Sequence, residues 1–287
     1  MKFCFCVTGS SINGADNVLK HIGCALKELG HEIETVNIIH DIPECDAVWF
    51  QSQWYGILEK KLRSSKSKKI CWLEHFLPSE NFVPIETIKA DCFNTQYKGD
   101  VKDLAEKRIG KDIYYLPHAA CPHCMREGVY NDSYPKKVII MNRNKFKDES
   151  WLDEAGVTIL PLSAFKVSDA YRSANVVANI HAIFQKGISS EYLGAIGMGL
   201  NERVFQAIMS GGFVVNDNNP ILRDFFSKEE VPMASTKEEF SNLVNYFNNN
   251  PNERLPYMQR AKERIANEHL YVHRIKQYGD FNNWWNG

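Results

Sequence analysis

Two short stretches carry residue types at spacings that suit chemistry. LNERVFQAIMSGGFVVND, Leu200 to Asp217, follows Gly197-Met198-Gly199 and sets Asn201, Glu202, Arg203 and Gln206 along the first turns of a helix that a Gly-Gly pair must end. Unpaired amides and the positive end of the helix dipole at such a start suit a phosphate or diphosphate. Glu202 and Gln206 lie four residues apart on one face, from which a polar side chain can bridge ribose hydroxyls. A solvated helix start above a packing Gly-Gly turn gives the same periodicity, so the pattern leaves both readings open. The second stretch, Cys121-Pro-His-Cys124 with His118 just before it, has metal-ligand spacing. A zinc site needs a second pair of ligands, and no further CxxC or HxxxH supplies one, so no metal is expected.

Composition bounds the functions these stretches can serve. The 287 residues suit two domains of about 140 residues each. Lys and Arg number 34 against 35 Asp and Glu, a formal net charge of -1, so the chain lacks the basic excess of a general nucleic-acid binder. Six basic residues do cluster in EKKLRSSKSKK, namely Lys60, Lys61, Arg63, Lys66, Lys68 and Lys69, which would suit a polyanionic acceptor or simply end a helix in solvent. Apolar runs such as VIIM (138 to 141) are strand-sized, far below the ~20 residues that span a bilayer. No signal peptide follows Met1, and several of the eight cysteines lie inside apolar segments as reduced thiols would, so a cytoplasmic protein is expected. The aromatics of WFQSQWY (49 to 55) and Trp284-Trp285 suit stacking on sugar or base faces, or packing in a core.

The elements that must position these residues alternate. KFCFCVTG (2 to 9) reads as a buried strand running into the loop GSSING, and Ala15 to Leu29 carries apolar residues at helical spacing before Gly30. Strands follow at HEIETVNI, DAVWFQS, KKICWLEHF, DCFNTQ and DIYYLP, with a helix at Val101 to Ile109. The pattern restarts with KKVIIMNRN (136 to 144), a helix at Glu149 to Ala155, GVTILPL, a helix at Ser168 to Ser173 and NVVANIHA (175 to 182). A helix at 201 to 210, the strand FVVND, and a helix from Lys237 to Asn248 capped by Ser235 or Thr236 complete it. Repeated strand-helix-strand units imply parallel sheets wrapped by helices, with ligands at the carboxyl ends of the strands. The expectation is an α/β protein of two Rossmann-like doubly wound domains facing a cleft.

LNERVFQAIMSGGFVVND resembles the C-terminal signature of GT-B glycosyltransferases, in particular the CgeB-like, spore-maturation branch, with its Asn-x-Arg-x-Phe-Glu-Ala pattern. Asn201, Arg203, Phe205, Ala207 and Gly211 or Gly212 match. KICWLEHF, CFNTQYKGDV and LPHAACP resemble further elements of that family, and His269, Tyr271 and Arg274 resemble its closing His-Thr-Tyr and Arg. Two positions depart: Gln206 stands where the family has a ribose-binding Glu, and Cys121 where it has an Asp. Gln can still hydrogen-bond hydroxyls, without the strength of a charged acceptor.

The resemblance implies an acceptor-binding domain over residues 1–125, a nucleotide-sugar-binding domain over 126–270, and a C-terminal helix in 271–287 returning to the first domain. The donor, a nucleoside diphosphate sugar of UDP type, would meet Gly197, Gly199, Asn201, Arg203 and Gln206, with His181 facing it and Arg143 and Lys147 neutralising the diphosphate without a metal. The acceptor would lie at Gly9, Ser10, Ser11 and Asn13 and beside Glu74 and His75. Asp16 or His75 is the candidate general base, His75 because imidazole titrates near working pH. Its implied activity is metal-independent hexosyl or pentosyl transfer to an unidentified hydroxyl of a glycan, polymer or modified nucleic acid. Two other readings stay open. A nucleotide-sugar-binding module without activity would share every feature; a Rossmann oxidoreductase is disfavoured because TGSSING is not GxGxxG.

Overall fold

The structure, a computed structural model, describes residues 1–9, 14–73, 84–140, 150–160, 167–180 and 199–284. The chain divides into two compact units, one formed by Met1–His118 with Tyr271–Gly287, the other by Ala119–Leu270.

The first unit is a parallel sheet. Its strands are β1 (Lys2–Val7), β2 (Glu32–Asn37), β3 (Ala47–Gln51), β4 (Lys68–Leu73), β5 (Cys92–Thr95) and β6 (Ile113–Tyr115), in the order β2-β1-β3-β4-β5-β6. Every residue of β3 is buried, as the apolar run AVWFQ requires of a central strand covered on both faces, whereas β2, at the edge, is at most half-buried. Helices α1 (Gly14–Glu28), α2 (Tyr55–Ser64) and α3 (Asp100–Ile109) connect the strands. α1 buries Val18, Leu19, Ile22, Ala25 and Leu26, the 3-4 spacing legible in the sequence. The closing helix Tyr271–Phe281 also packs in this unit, its Tyr278 ring 5.5 Å from Trp49 and 4.8 Å from Trp284. Trp284 is therefore a core residue; Trp285 lies outside the described residues.

The second unit has strands β7 (Lys137–Ile140), β8 (Thr158–Leu160), β9 (Val176–Asn179), β10 (Val214–Asp217) and β11 (Met233–Ala234), all parallel, in the order β11-β10-β9-β7-β8. Its helices are α4 (Ser150–Glu154), α5 (Val167–Ser173), α6 (Arg203–Met209), α7 (Lys237–Asn249) and α8 (Pro251–Glu268). One apolar layer joins Tyr171, Phe205, Phe225, Phe226 and Ile265; another joins Trp151, Leu152, Phe240, Val244 and Phe247. Helices thus cover both faces of the sheet, the doubly wound arrangement expected from the strand-helix alternation.

Both sheets reverse direction once. In the first unit β2 lies on one side of β1 and β3 on the other; in the second, β8 and β9 flank β7 in the same way. A topological switch leaves a crevice outside the carboxyl ends of the two strands where the order reverses. Those ends, β1/β3 and β7/β9, are where each unit can hold a ligand.

Candidate functional site

At the β7/β9 switch of the second unit, α6 begins with Arg203, two residues later than the spacing predicts. Glu202 sits at the cap position with helical angles, and the first turn closes through Gln206 N–H on its carbonyl at 3.1 Å. The helix ends as Gly211-Gly212 requires: the Gly211 amide bonds the Ile208 carbonyl and the Gly212 amide the Ala207 carbonyl, with Gly211 at φ +84°. This paired closure is the Schellman arrangement, which only a residue tolerant of the left-handed region accepts without strain.

Arg203, half-buried, sends its guanidinium to the Ile180 carbonyl, just beyond β9, at 3.1 Å. Burial lowers its pKa, while Tyr171 and Asp217 act in the opposite direction. Tyr171 is raised to about 12 by burial, partly offset by Arg203. The desolvation of the guanidinium thus exceeds what its two neighbours return, so added negative charge at this position is favoured.

The strand ends beside it are polar. Asn179, at the end of β9, donates to Asn216 Oδ1 on β10 at 2.6 Å, and Asn216 donates to Asp217 Oδ1 at 2.9 Å. All three are buried, with Asn179 Oδ1 lacking a hydrogen-bond partner. Asn219 ties the approach to α6 in place, donating to the Gly199 carbonyl at 3.1 Å while its Oδ1 caps the Ile221 amide. Asn201 has both amide atoms shut off from solvent without a partner, an arrangement that costs about 1–3 kcal/mol per orphaned group. Gln206 is half-buried and its side chain makes no hydrogen bond among the described residues. Gly199, Asn201, Arg203 and Gln206 thus lie on one continuous segment beside the switch. Arg143, Lys147, His181 and Gly197 lie outside the described residues. Tyr171, Asn179, Asn216 and Asp217 were not singled out from sequence; the signal was the polar end of the apolar runs VVAN and VVND.

The matched closing motif supports this segment from behind. His269 Nε2 lies 2.8 Å from the Phe225 carbonyl, and its ring packs against Phe205, Phe225 and Phe226. Phe205 lies two residues after Arg203 in the same helix, so His269 helps fix that helix.

At the β1/β3 switch of the first unit, Asp16 is buried and accepts from Thr8 twice, from its amide at 3.0 Å and from its hydroxyl. Gln51, ending β3, approaches the other carboxylate oxygen at 3.5 Å and is itself held by Gln53 at 2.7 Å. Asn37, from β2, donates to the Thr8 carbonyl at 2.7 Å. Asp16 therefore fixes the turn leaving β1, where Gly9 is exposed with φ +77°. Ser10, Ser11, Asn13, Glu74 and His75 lie outside the described residues. In the second unit, Cys121 and Cys124 belong to a turn in which the Cys124 and Met125 amides bond the Cys121 carbonyl.

Over nearly its whole length the chain superposes on solved structures. They include sucrose-phosphate synthase from Thermosynechococcus elongatus (TM-score 0.66, 11% identity, 99% of this chain and 98% of that one). Anabaena HepE in complex with UDP and glucose gives TM-score 0.66 and 11% identity, covering 99% of each chain. A variant of T4 phage BGT in complex with UDP-glucose gives 0.68 and 11%, again covering 99% of each. The fold is GT-B. Residues 149–280 also match a family described as glycosyl transferase-like, a segment that contains Asn201, Arg203 and Gln206. No curated protein matches the chain.

Proposed function

We propose that this protein is a glycosyltransferase that takes a sugar from a UDP-type nucleoside diphosphate donor and places it on an acceptor hydroxyl. The observation that carries the reading is Arg203, a desolvated guanidinium at the strand-order switch of the second unit, within the segment matched to glycosyl transferase-like proteins. Structures of the same fold were solved with UDP, UDP and glucose, or UDP-glucose, which favours that donor class. The matched Asn-x-Arg-x-Phe pattern favours the CgeB-like branch.

In the reaction, the acceptor oxygen forms a bond to the anomeric carbon, the bond to the diphosphate breaks with its electron pair, and the acceptor proton passes to a base. Arg203, with Arg143 and Lys147 after β7, would stabilise the departing diphosphate, making a metal unnecessary for hexosyl or pentosyl transfer. Asn201 and Gln206 would take the nucleoside hydroxyls or sugar, giving the orphaned Asn201 amide its partners. Gly197 and Gly199 would let the backbone approach, with His181 beside the donor. The acceptor would meet Gly9, Ser10, Ser11 and Asn13, with His75 or Asp16 as base and Glu74 beside it. Since Asp16 already accepts from Thr8 and Gln51, His75 is the stronger candidate. A polyanionic acceptor drawn by Lys60 to Lys69 is one form of this reading.

A cytoplasmic location belongs to this proposal; among the described residues no helix is long and apolar enough to cross a membrane. Gln206 supports a second reading, a module that binds the nucleotide sugar without transfer. A thermal-shift panel of UDP, GDP, ADP, TDP and CMP tests both. Ligand at 100 times its dissociation constant adds ~2.7 kcal/mol, and UDP is expected to give the largest rise. No response to any nucleotide sinks the donor reading; binding of UDP-sugars without transfer or hydrolysis across donors favours the module.

A further inference from the structure

We infer that the first unit carries a second ligand site, a pocket for a small organic anion of about sugar-phosphate size, at the amino-terminal ends of β4 and β5. A groove of about 380 Å³ lies there, at the lower end of the ~300–1,000 Å³ range of small-molecule sites. It is at the opposite end of the sheet from Thr8 and Gln51, so it is separate from the acceptor position proposed at Gly9 to Asn13, though it takes Arg63 and Lys69 from the basic run. Its floor is apolar, including Leu62 and Ile88, and four cations line it: Arg63, Lys69, Lys89 and Lys111.

The basic run of the sequence explains part of this charge. The run does not form a stripe in the fold. Lys61 is spent on the Ile38 and His40 carbonyls at 2.9 and 2.8 Å, and Lys68 lies over the Trp284 ring at 5.4 Å. Arg63 and Lys69 instead join Lys89 and Lys111, distant in sequence, around one groove. A compact anion suits a closed set of cations better than a long polymer does.

Two of the cations are held ready. Lys69 Nζ donates to the Ser65 carbonyl at 2.9 Å and Lys111 Nζ to the Ala90 carbonyl at 2.7 Å. Each ammonium keeps two further N–H groups for a ligand, and its side-chain entropy is already lost. Lys89 is exposed, its amide is held by the Tyr55 hydroxyl at 3.1 Å, and its ammonium makes no hydrogen bond or ion pair among the described residues. Of the two lining acids, Glu86 pairs with Arg108 at 2.8 Å, while Asp91 keeps its charge as it accepts the Lys69 amide at 2.7 Å; Arg63 is itself paired with Glu59 at 2.6 Å, which leaves Lys69, Lys89 and Lys111 facing one carboxylate. Positive charge is therefore in excess over an apolar floor, which selects an anionic group on a carbon skeleton.

Isothermal titration of the full chain with glucose 6-phosphate, inorganic phosphate, citrate and glucose tests this site. Run with and without saturating UDP, it stays readable even if UDP does not bind. The expected result is one site per chain for glucose 6-phosphate or citrate, occupied whether or not UDP is present, and no binding of glucose. Lys89→Glu, at an exposed position whose ammonium makes no hydrogen bond or ion pair among the described residues, should weaken it about tenfold or more with an unchanged melting temperature, and Lys111→Met should weaken it similarly. The inference is overturned if none of the anions binds or if both variants bind as the parent does. Much tighter binding of a single-stranded oligonucleotide than of any small anion would also overturn it, making the face a polyanion track.

Discussion

Arg203 donates to the carbonyl of Ile180 across 3.1 Å, which places its charge at the carboxyl end of β9 rather than along α6. The same guanidinium feels Asp217 and Tyr171, whose attraction offsets part of the effect of its burial. Arg203→Ala should raise the UDP dissociation constant by about tenfold or more, the loss of a charge-assisted contact. It also leaves Asp217 buried with less compensation, so a stability loss of about 1–3 kcal/mol is expected, with the fold retained. Titration of UDP and urea denaturation read the two effects separately. Unchanged UDP affinity removes Arg203 from the donor site.

Asp16 accepts the Thr8 amide and hydroxyl together, which joins the end of β1 to the first turn of α1. In Asp16→Asn the carboxamide keeps one acceptor oxygen and loses the charge. A stability loss of about 1–2 kcal/mol follows from the weakened bonds. Turnover separates scaffold from chemistry. A scaffolding Asp16 leaves kcat within about tenfold of the parent, whereas a general base lost to an amide costs about 10²–10⁴. His75→Ala should show that larger loss if His75 is the base.

The alternation of strands and helices was legible because central strands such as AVWFQ read as apolar runs and α1 as a 3-4 pattern. The Ser235/Thr236 signal was legible too: Thr236 accepts the Glu239 amide at 3.0 Å, and Glu239 returns to the Ser235 amide at 2.7 Å. What periodicity could not reveal was register. Asn179 meets Asn216 only because β9 and β10 pair in parallel at that position, a fact that neither sequence segment contains. Likewise β11 spans two residues, too few to show a period. The basic run EKKLRSSKSKK read as a helix end and loop, and α2 does end at Ser64 within it, but its division between fold-bound and groove-lining cations depends on residues distant in sequence, such as Ile38, Lys111 and Trp284.

Gly212 marks the close approach of α5 to the end of α6. A Cβ there would lie 2.8 Å from the Tyr171 carbonyl and 3.1 Å from that of Ala207, both main-chain atoms that cannot swing aside. Gly212→Ala should cost about 1–3 kcal/mol through overpacking. Because Tyr171 neighbours Arg203, the strain should also weaken UDP binding. Urea midpoints and UDP titration of this variant check both; a variant as stable as the parent would show that α5 has room to move.

His31 gives the fold a dependence on pH. Its ring packs 5.5 Å from that of Phe3, with Nδ1 3.5 Å from the terminal amine, and burial followed by that positive charge lowers its pKa from 6.5. The unfolded chain therefore binds the His31 proton more readily than the folded one. By linkage, the contribution is fully present above about pH 6.5 and is lost as pH falls from there through the lowered folded value. Urea midpoints at pH 7.5 and pH 5 should fall in the parent, and fall by less in His31→Gln, whose side chain does not titrate. Equal decreases in the two proteins would assign the acid sensitivity to other groups.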